Sequence, residues 1–190
     1  MFTILPATPV DVSVLLTLIR ELAQYEQLAH TVTATEKDLR AALFGPDPVA
    51  AALVARLSPG NSPMTDQTMA DSPASPPPDS PLAVATNPDA IVAGFALYYR
   101  SFSTFVGRAG IYLEDIYVRP VFRRHGLGKQ LFTRVAQIAV TQQAGRMEWA
   151  VLNWNQPARA FYESLGAVPM KEWTTMRLSG EELRRVGGSE

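Results

Sequence analysis

Cysteine is absent from this 190-residue chain, which excludes a disulfide framework, a cysteine–zinc site and a thiol nucleophile. The same absence fits a reducing, cytoplasmic setting. His30 and His125 are the only two histidines, too few for most histidine-based metal sites, so no metal is expected. Positive charge is not in excess. The net charge of −1 makes neither nucleic acid nor an acidic membrane surface an expected partner. No apolar run reaches the roughly 18 residues of a membrane span, and Met1 to Pro6 lacks the basic start and long apolar stretch of a secretion signal. What is present is an ordinary soluble composition, 47% hydrophobic and 18% charged. The chain is long enough to bury one α/β core.

Residues 2–5 read as a first strand. Thr8, Pro9 and Asp11 then give a helix start: a cap, a proline at the first helical position and an acid at the positive end of the dipole. Val12, Leu15, Leu16, Ile19, Leu22 and Ala23 form an apolar stripe at helical spacing. Thr35 with Asp38 marks a second helix that stops at Gly45-Pro46. Residues 49–57 fit a buried strand, and 91–100 its hairpin partner. Between them, residues 58–88 hold eight of the fifteen prolines among many Ser, Asp and Thr, a composition that cannot offset its own ordering entropy. It reads as a mobile insert in a hairpin turn, adding roughly 2 kcal/mol of closure entropy. Further strands are expected at 108–118, 147–152 and 173–178. A helix at 126–142 has Leu127, Leu131, Val135 and Ile138 on one face, and another is capped by Asn155 and ends at Gly166. This order gives one mixed sheet covered by helices.

The chemistry concentrates in Arg123-Arg124-His125-Gly126-Leu127-Gly128, between a strand and a helix. Glycines there let the backbone approach an anion, and the N–H groups and dipole of the new helix attract phosphate. The spacing is neither the dinucleotide fingerprint nor a P-loop. Taken alone, the glycines fit an ordinary tight turn equally well.

The neighbouring residues add a resemblance. Arg123-x-x-Gly126-x-Gly128 is similar to the pyrophosphate loop of the GNAT acetyltransferases, and it follows Tyr112-Leu113-Glu114-Asp115-Ile116-Tyr117-Val118-Arg119-Pro120, a strand typical of them. Downstream, Asn155-Gln156-Pro157-Ala158-Arg159-Ala160-Phe161-Tyr162-Glu163-Ser164-Leu165-Gly166 resembles their second conserved segment. Arg20-Glu21-Leu22-Ala23-Gln24-Tyr25-Glu26, Thr35-Glu36-Lys37-Asp38-Leu39 and Gly94-Phe95-Ala96-Leu97-Tyr98-Tyr99 resemble the diamine (spermidine/spermine) and thialysine branch. Leu5 and Lys171 depart from that branch's pattern. The resemblance covers nearly the whole chain outside 58–88.

It implies a GNAT fold, a single mixed, mostly antiparallel twisted sheet flanked by helices. One N-acetyltransferase domain would span 1–180, interrupted at 58–88, with a charged tail at 181–190. Acetyl-CoA would be the cosubstrate and a small cationic amine (a diamine, polyamine or lysine-like molecule) the acceptor, in a homodimer. Ile116, Tyr117 and Val118 would line the pantetheine arm. Arg123, Arg124, His125, Gly126, Leu127, Gly128 and Lys129 would bind the pyrophosphate, and Asn155, Ala158 and Arg159 would approach the cofactor. Glu114 would remove the amine's proton through water, and Tyr162 would protonate the leaving thiolate. Tyr25, Glu26, Glu114, Asp115, Glu148 and Glu172 would form an acidic acceptor pocket.

Such groups answer a real need. An alkylammonium with a pKa of about 10.4 is only about 0.04% neutral at pH 7, and only the neutral amine attacks a thioester. A carboxylate attracts the cation and passes its proton onward. Other readings of the same residues stand alongside. Glu114 in an apolar strand suits a structural ion pair, Tyr162 on an apolar helix face suits a core aromatic, and scattered carboxylates suit a solvated surface. Trp149 and Trp154 read as packing residues. Acetylation of a protein amine and a catalytically silent CoA-binding module are the competing functions.

Overall fold

The computed structural model describes residues 1–57 and 91–188. They divide into two compact units, Met1–Ala150 and Val151–Glu190. The insert expected at 58–88 lies outside the described residues.

In the first unit, strand β1 (Phe2–Pro6) leads through a short 3-10 turn into helix α1 (Val12–Tyr25). The start is fixed as the sequence predicts: the Thr8 amide and hydroxyl both donate to Asp11 Oδ2, at 2.8 and 2.9 Å. Val12, Leu15, Leu16, Leu22 and Ala23 are buried, but Leu18 replaces Ile19 at the centre of the stripe. Leu15, Leu18 and Leu22 share one helical arc, and that arc meets the sheet. Helix α2 (Glu36–Phe44) carries a complete capping box. Thr35 Oγ1 accepts from the Asp38 amide at 3.3 Å, and the Asp38 carboxylate accepts from the Thr35 amide at 2.9 Å.

Strands β2 (Ala51–Leu57), β3 (Val92–Ser103) and β4 (Arg108–Val118) follow, then helix α3 (Leu127–Thr141) and strand β5 (Met147–Trp149). The sheet order is β1-β2-β3-β4-β5. The first four strands are antiparallel, and β5 joins β4 in parallel after the α3 crossover. This is the mixed, mostly antiparallel twisted sheet expected. Strand β2 begins later than predicted: Val49 is exposed and sits before the first ladder pair. Along the strands, side chains alternate between the two faces. Ala52, Val54, Phe95, Leu97 and Tyr117 pack against Leu15, Leu18, Leu22 and Leu43 of α1 and α2. Leu53 and Leu113 alternate to the opposite face, and α3 lies against β3 and β4.

Two ion pairs tie α1 to the sheet. Asp11 meets Arg56 of β2 with both side chains almost fully buried. Arg119, just beyond β4, forks onto Glu21 with bonds of 2.8 to 3.1 Å and also donates to the Val92 carbonyl at 2.9 Å.

The second unit holds helices α4 (Gln156–Ser164) and α5 (Gly180–Gly187). The Asn155 side chain caps α4 by accepting from the Ala158 amide at 3.3 Å. Gly166, at φ 89°, adopts the left-handed conformation that glycine favours just after a helix. The strand predicted at 173–178 does not form. A strand needs a ladder partner, and the described residues of this unit contain no strand. Trp173 and Met176 are instead 69% and 86% exposed. Most of the segment expected as a charged tail is helical, in α5.

Candidate active site

The site begins with a defect in β4. Leu97 pairs with Asp115 and Tyr98 with Leu113, so Glu114 is the extra residue of a β-bulge. A bulge bends its strand and re-aims side chains. Leu113 faces α3, and Asp115, opposite the core residue Leu97, faces α1. Glu114 alternates from Leu113, so it turns to the α1 face together with Asp115. Two successive carboxylates thereby look the same way, which a regular strand forbids.

Glu26 caps the end of α1 on that face. Burial raises its carboxyl above the usual range. Asp115 is half-buried, and desolvation, then the charges of Glu114 and Glu26, push its pKa up to about 7. Among the described residues, none of the ion pairs engages Glu26, Glu114 or Asp115. Tyr25 precedes Glu26 and is 39% exposed. Sequence reasoning missed two aromatics beside these carboxylates. Tyr99 and Tyr112, cross-strand partners beside Glu114, stack with ring centroids 5.1 Å apart and planes 26° from parallel. Burial, then the Glu114 charge, raises both hydroxyl pKa values. The available signal was two tyrosines on one face of a strand pair that also carries the acid. Glu148 is turned to other use. It registers with Tyr112, but its carboxylate accepts from Arg146 Nε at 2.7 Å.

The bulge has a second consequence. The β4–β5 ladder runs only from Ile111–Met147 to Leu113–Trp149 and stops where Glu114 intervenes. This also shortens the strand predicted over 147–152. Beyond it, no strand among the described residues covers the outer edge of β4. The Arg119 amide donates to the Ala93 carbonyl at 2.9 Å. Antiparallel alternation therefore points the Tyr117 and Asp115 amides toward β3 and the Ile116 and Val118 amides to the open edge. Tyr117, also grouped with these residues in the sequence, has its amide in the β3 ladder and its ring in the core.

That edge leads to the start of α3. Arg124 and Gly126 take left-handed conformations, at φ 66° and 73°. Helices α2 and α4 have side-chain caps, whereas α3 has Gly126 at its cap and no side-chain hydrogen bond there. Its first amides, at Leu127, Gly128 and Lys129, lack intrahelical acceptors. A Cβ on Gly128 would meet only Val118 Cγ2, at 4.0 Å, so the protein itself leaves room there. Arg124, His125 and Lys129 are exposed around this start, while Leu127 is buried beneath it. An uncapped, glycine-lined helix start suits an anion, and it continues an open strand edge. A hollow of about 470 Å³, lined by Arg100, Arg108, Ala109, Gln142 and Gln143, lies by the other end of α3, roughly 22 Å along that helix.

In the second unit, Asn155 and Ala158 form the α4 cap described above. Arg159 Nη1 donates to the Asn153 carbonyl at 3.3 Å. Tyr162 is buried, with its ring centroid 5.2 Å from that of Phe161. Glu172 is exposed in a turn. Among the described residues no acidic or histidine cluster has the makings of a metal site, and no helix is long and apolar enough to cross a membrane.

An extended edge that ends at an uncapped, glycine-lined helix start suits a long carrier with a phosphorylated end. The chain belongs to the acetyltransferase (GNAT) family, whose model matches residues 51–167. It is a GNAT-type N-acetyltransferase, and acetyl-CoA is its cosubstrate. It is 37% identical over 194 residues to the L-ornithine N5-acetyltransferase NATA1 of Arabidopsis thaliana, covering 95% of this chain and 85% of that protein. It is also 37% identical to the thialysine N-epsilon-acetyltransferase of Bos taurus, covering 94% and 92%. Among solved structures, an integron cassette protein from V. cholerae superposes with a TM-score of 0.66 at 23% identity, over 98% of this chain and 97% of that one.

Proposed function

We propose that this enzyme acetylates a primary amine of a small cationic metabolite, of the ornithine, thialysine, diamine or polyamine kind, by direct transfer from acetyl-CoA. The observation that carries this reading is the bulge that turns Glu114 and Asp115 to one face beside Glu26. After desolvation, the charges of Glu114 and Glu26 raise the Asp115 carboxyl, and an incoming ammonium relieves that repulsion. The relatives named for ornithine and thialysine support the same acceptor class.

In this reading the outward Ile116 and Val118 amides hold the pantetheine arm as an added strand would. The amides from Arg124 to Lys129 hold the pyrophosphate, and the family resemblance assigns Asn155, Ala158 and Arg159 to cofactor binding. Tyr25, Glu26, Asp115 and the Tyr99–Tyr112 pair line the acceptor pocket, and the family resemblance implies Glu172 as a further acceptor carboxylate. Glu148, paired with Arg146, is a weaker member. Glu114 accepts the ammonium's proton through water, the neutral nitrogen bonds to the acetyl carbon as the carbon–sulfur bond breaks, Tyr162 gives its proton to the thiolate, and the second proton shed by the new amide nitrogen restores the tyrosine. No acyl-enzyme intermediate is required. We read 1–180 as one catalytic domain carrying the 58–88 insert, and the enzyme as a cytoplasmic homodimer, as the family resemblance implies.

The test is thiol release from acetyl-CoA with ornithine, thialysine, diamines, polyamines and a lysine-bearing peptide. Turnover should be fastest on a small cationic amine. Preference for the peptide, or no turnover with any amine, would overturn the reading.

A further inference from the structure

Arg123 belongs by sequence to the phosphate loop, yet its side chain is committed elsewhere. Nε donates to the Val118 carbonyl at 2.8 Å. The guanidinium carbon lies 4.8 Å from the centroid of the Tyr25 ring and 5.6 Å from that of Tyr117. These partners belong to different parts of the machinery. Val118 is on the open edge of β4. Tyr25 is the last residue of α1 and precedes Glu26 of the acidic cluster. Arg123 itself immediately precedes Arg124, where the backbone turns left-handed to begin the loop.

From this geometry we infer that Arg123 is a positioning residue, a clamp that fixes Tyr25 and the end of α1 against β4 and so registers the acceptor pocket with the cofactor edge. The inference rests on the acceptor reading above and deepens it. The bidentate Arg119–Glu21 pair anchors the helix more than a turn earlier. Past that pair Leu22 and Ala23 still pack inward, but Tyr25 and Gln24 are exposed, and Gln27, at φ 62°, turns the chain out of the helix. A guanidinium suits the task because it donates a directed hydrogen bond and stacks on an aromatic face at once. Lysine presents a point charge and can do only part of this.

A phosphate ligand and a clamp make different demands on the donor. A side chain that contacts pyrophosphate loses its effect when the donor has none, and a clamp on Tyr25 keeps its effect with either donor. The experiment compares Arg123→Met and Arg123→Lys with wild type, using acetyl-CoA and S-acetylpantetheine, on the best amine of the panel. Losing the charged stacking contact and its hydrogen bond should raise the amine KM roughly ten-fold with both donors. Arg123→Lys should recover part of that loss. In a Tyr25→Leu background, Arg123→Met should add little, since the two residues act as a unit. A readout independent of turnover is the Tyr25 ring signal in NMR spectra, which should move in Arg123→Met without acceptor or donor present.

A loss confined to the acetyl-CoA KM and absent with S-acetylpantetheine would overturn the inference and make Arg123 a phosphate ligand. Additive effects of Arg123→Met and Tyr25→Leu would also overturn it. Should Arg123→Met fail to fold, Arg123→Lys with the two donors decides the same question. Wild-type turnover on the amine panel reports separately on the acceptor reading.

Discussion

Asp115 is the residue whose surroundings most clearly foretell a measurable effect. Its carboxyl is raised from 3.8 to about 7 by desolvation first, then by Glu114 and Glu26. Below pH 4 the folded and unfolded chains both hold this proton. Between pH 4 and 7 the unfolded chain releases it and the folded chain retains it, so this group makes stability fall as pH rises. Above pH 7 both states are ionised and the penalty is complete. A shift of about three units amounts to roughly 4 kcal/mol. Asp115→Asn keeps the shape of the side chain and removes the proton. The stability of the variant relative to wild type should therefore climb by up to about 4 kcal/mol from pH 4 to pH 7 and then level off. For a chain of this size that is on the order of 10 °C in Tm. Thermal melts followed by circular dichroism at pH 4.5, 5.5, 6.5 and 7.5 measure it. A saturating cationic acceptor should narrow the gap, because the ammonium stabilises the ionised carboxylate. Parallel melting curves across this pH range would refute the reasoning.

Arg56→Met leaves Asp11 buried without its ion-pair partner, so denaturant unfolding should show a loss of about 3–5 kcal/mol. Little change would mean that Asp11 finds other partners. Gly128→Val places a side chain where only Val118 Cγ2 is near. Its far-UV circular dichroism should stay native while calorimetry shows acetyl-CoA binding weakened at least ten-fold; unchanged affinity would remove the α3 start as the anion site. Tyr162→Phe should lower kcat by ten-fold or more, within the roughly 10²–10⁴ range of general acid–base groups, and leave acetyl-CoA affinity near normal. Full turnover would leave Tyr162 a packing residue.

Much of this architecture could be read from the chain because its signals are local. Thr8 with Asp11, Thr35 with Asp38, and Asn155 each satisfy backbone groups a few residues away; α2 and α4 start directly after their caps, and Thr8 opens the 3-10 turn that leads into α1. The loop from Arg123 to Gly128 was legible because glycine at a helix start has a conformational meaning. What could not be read depends on partners distant in sequence. The bulge at Glu114 exists only in the register with Leu97 and Tyr98, and it stacks Tyr99 on Tyr112 and shortens β5. The Arg123 contact with Tyr25 spans most of the first unit. The segment 173–178 misled because its apolar residues suit a strand, while a strand forms only where a ladder partner exists.

The central claim is that Glu114 lets the enzyme use an ammonium at neutral pH, and kcat/KM of Glu114→Gln as a function of pH tests it most directly. The variant keeps the shape of the residue and loses its charge and basicity. With a cationic amine, kcat/KM should fall at least ten-fold at pH 7, and the deficit should shrink toward pH 10 as free amine appears, with acetyl-CoA affinity near normal. A folded variant with the wild-type rate at pH 7, or with one uniform deficit at every pH, would contradict the account.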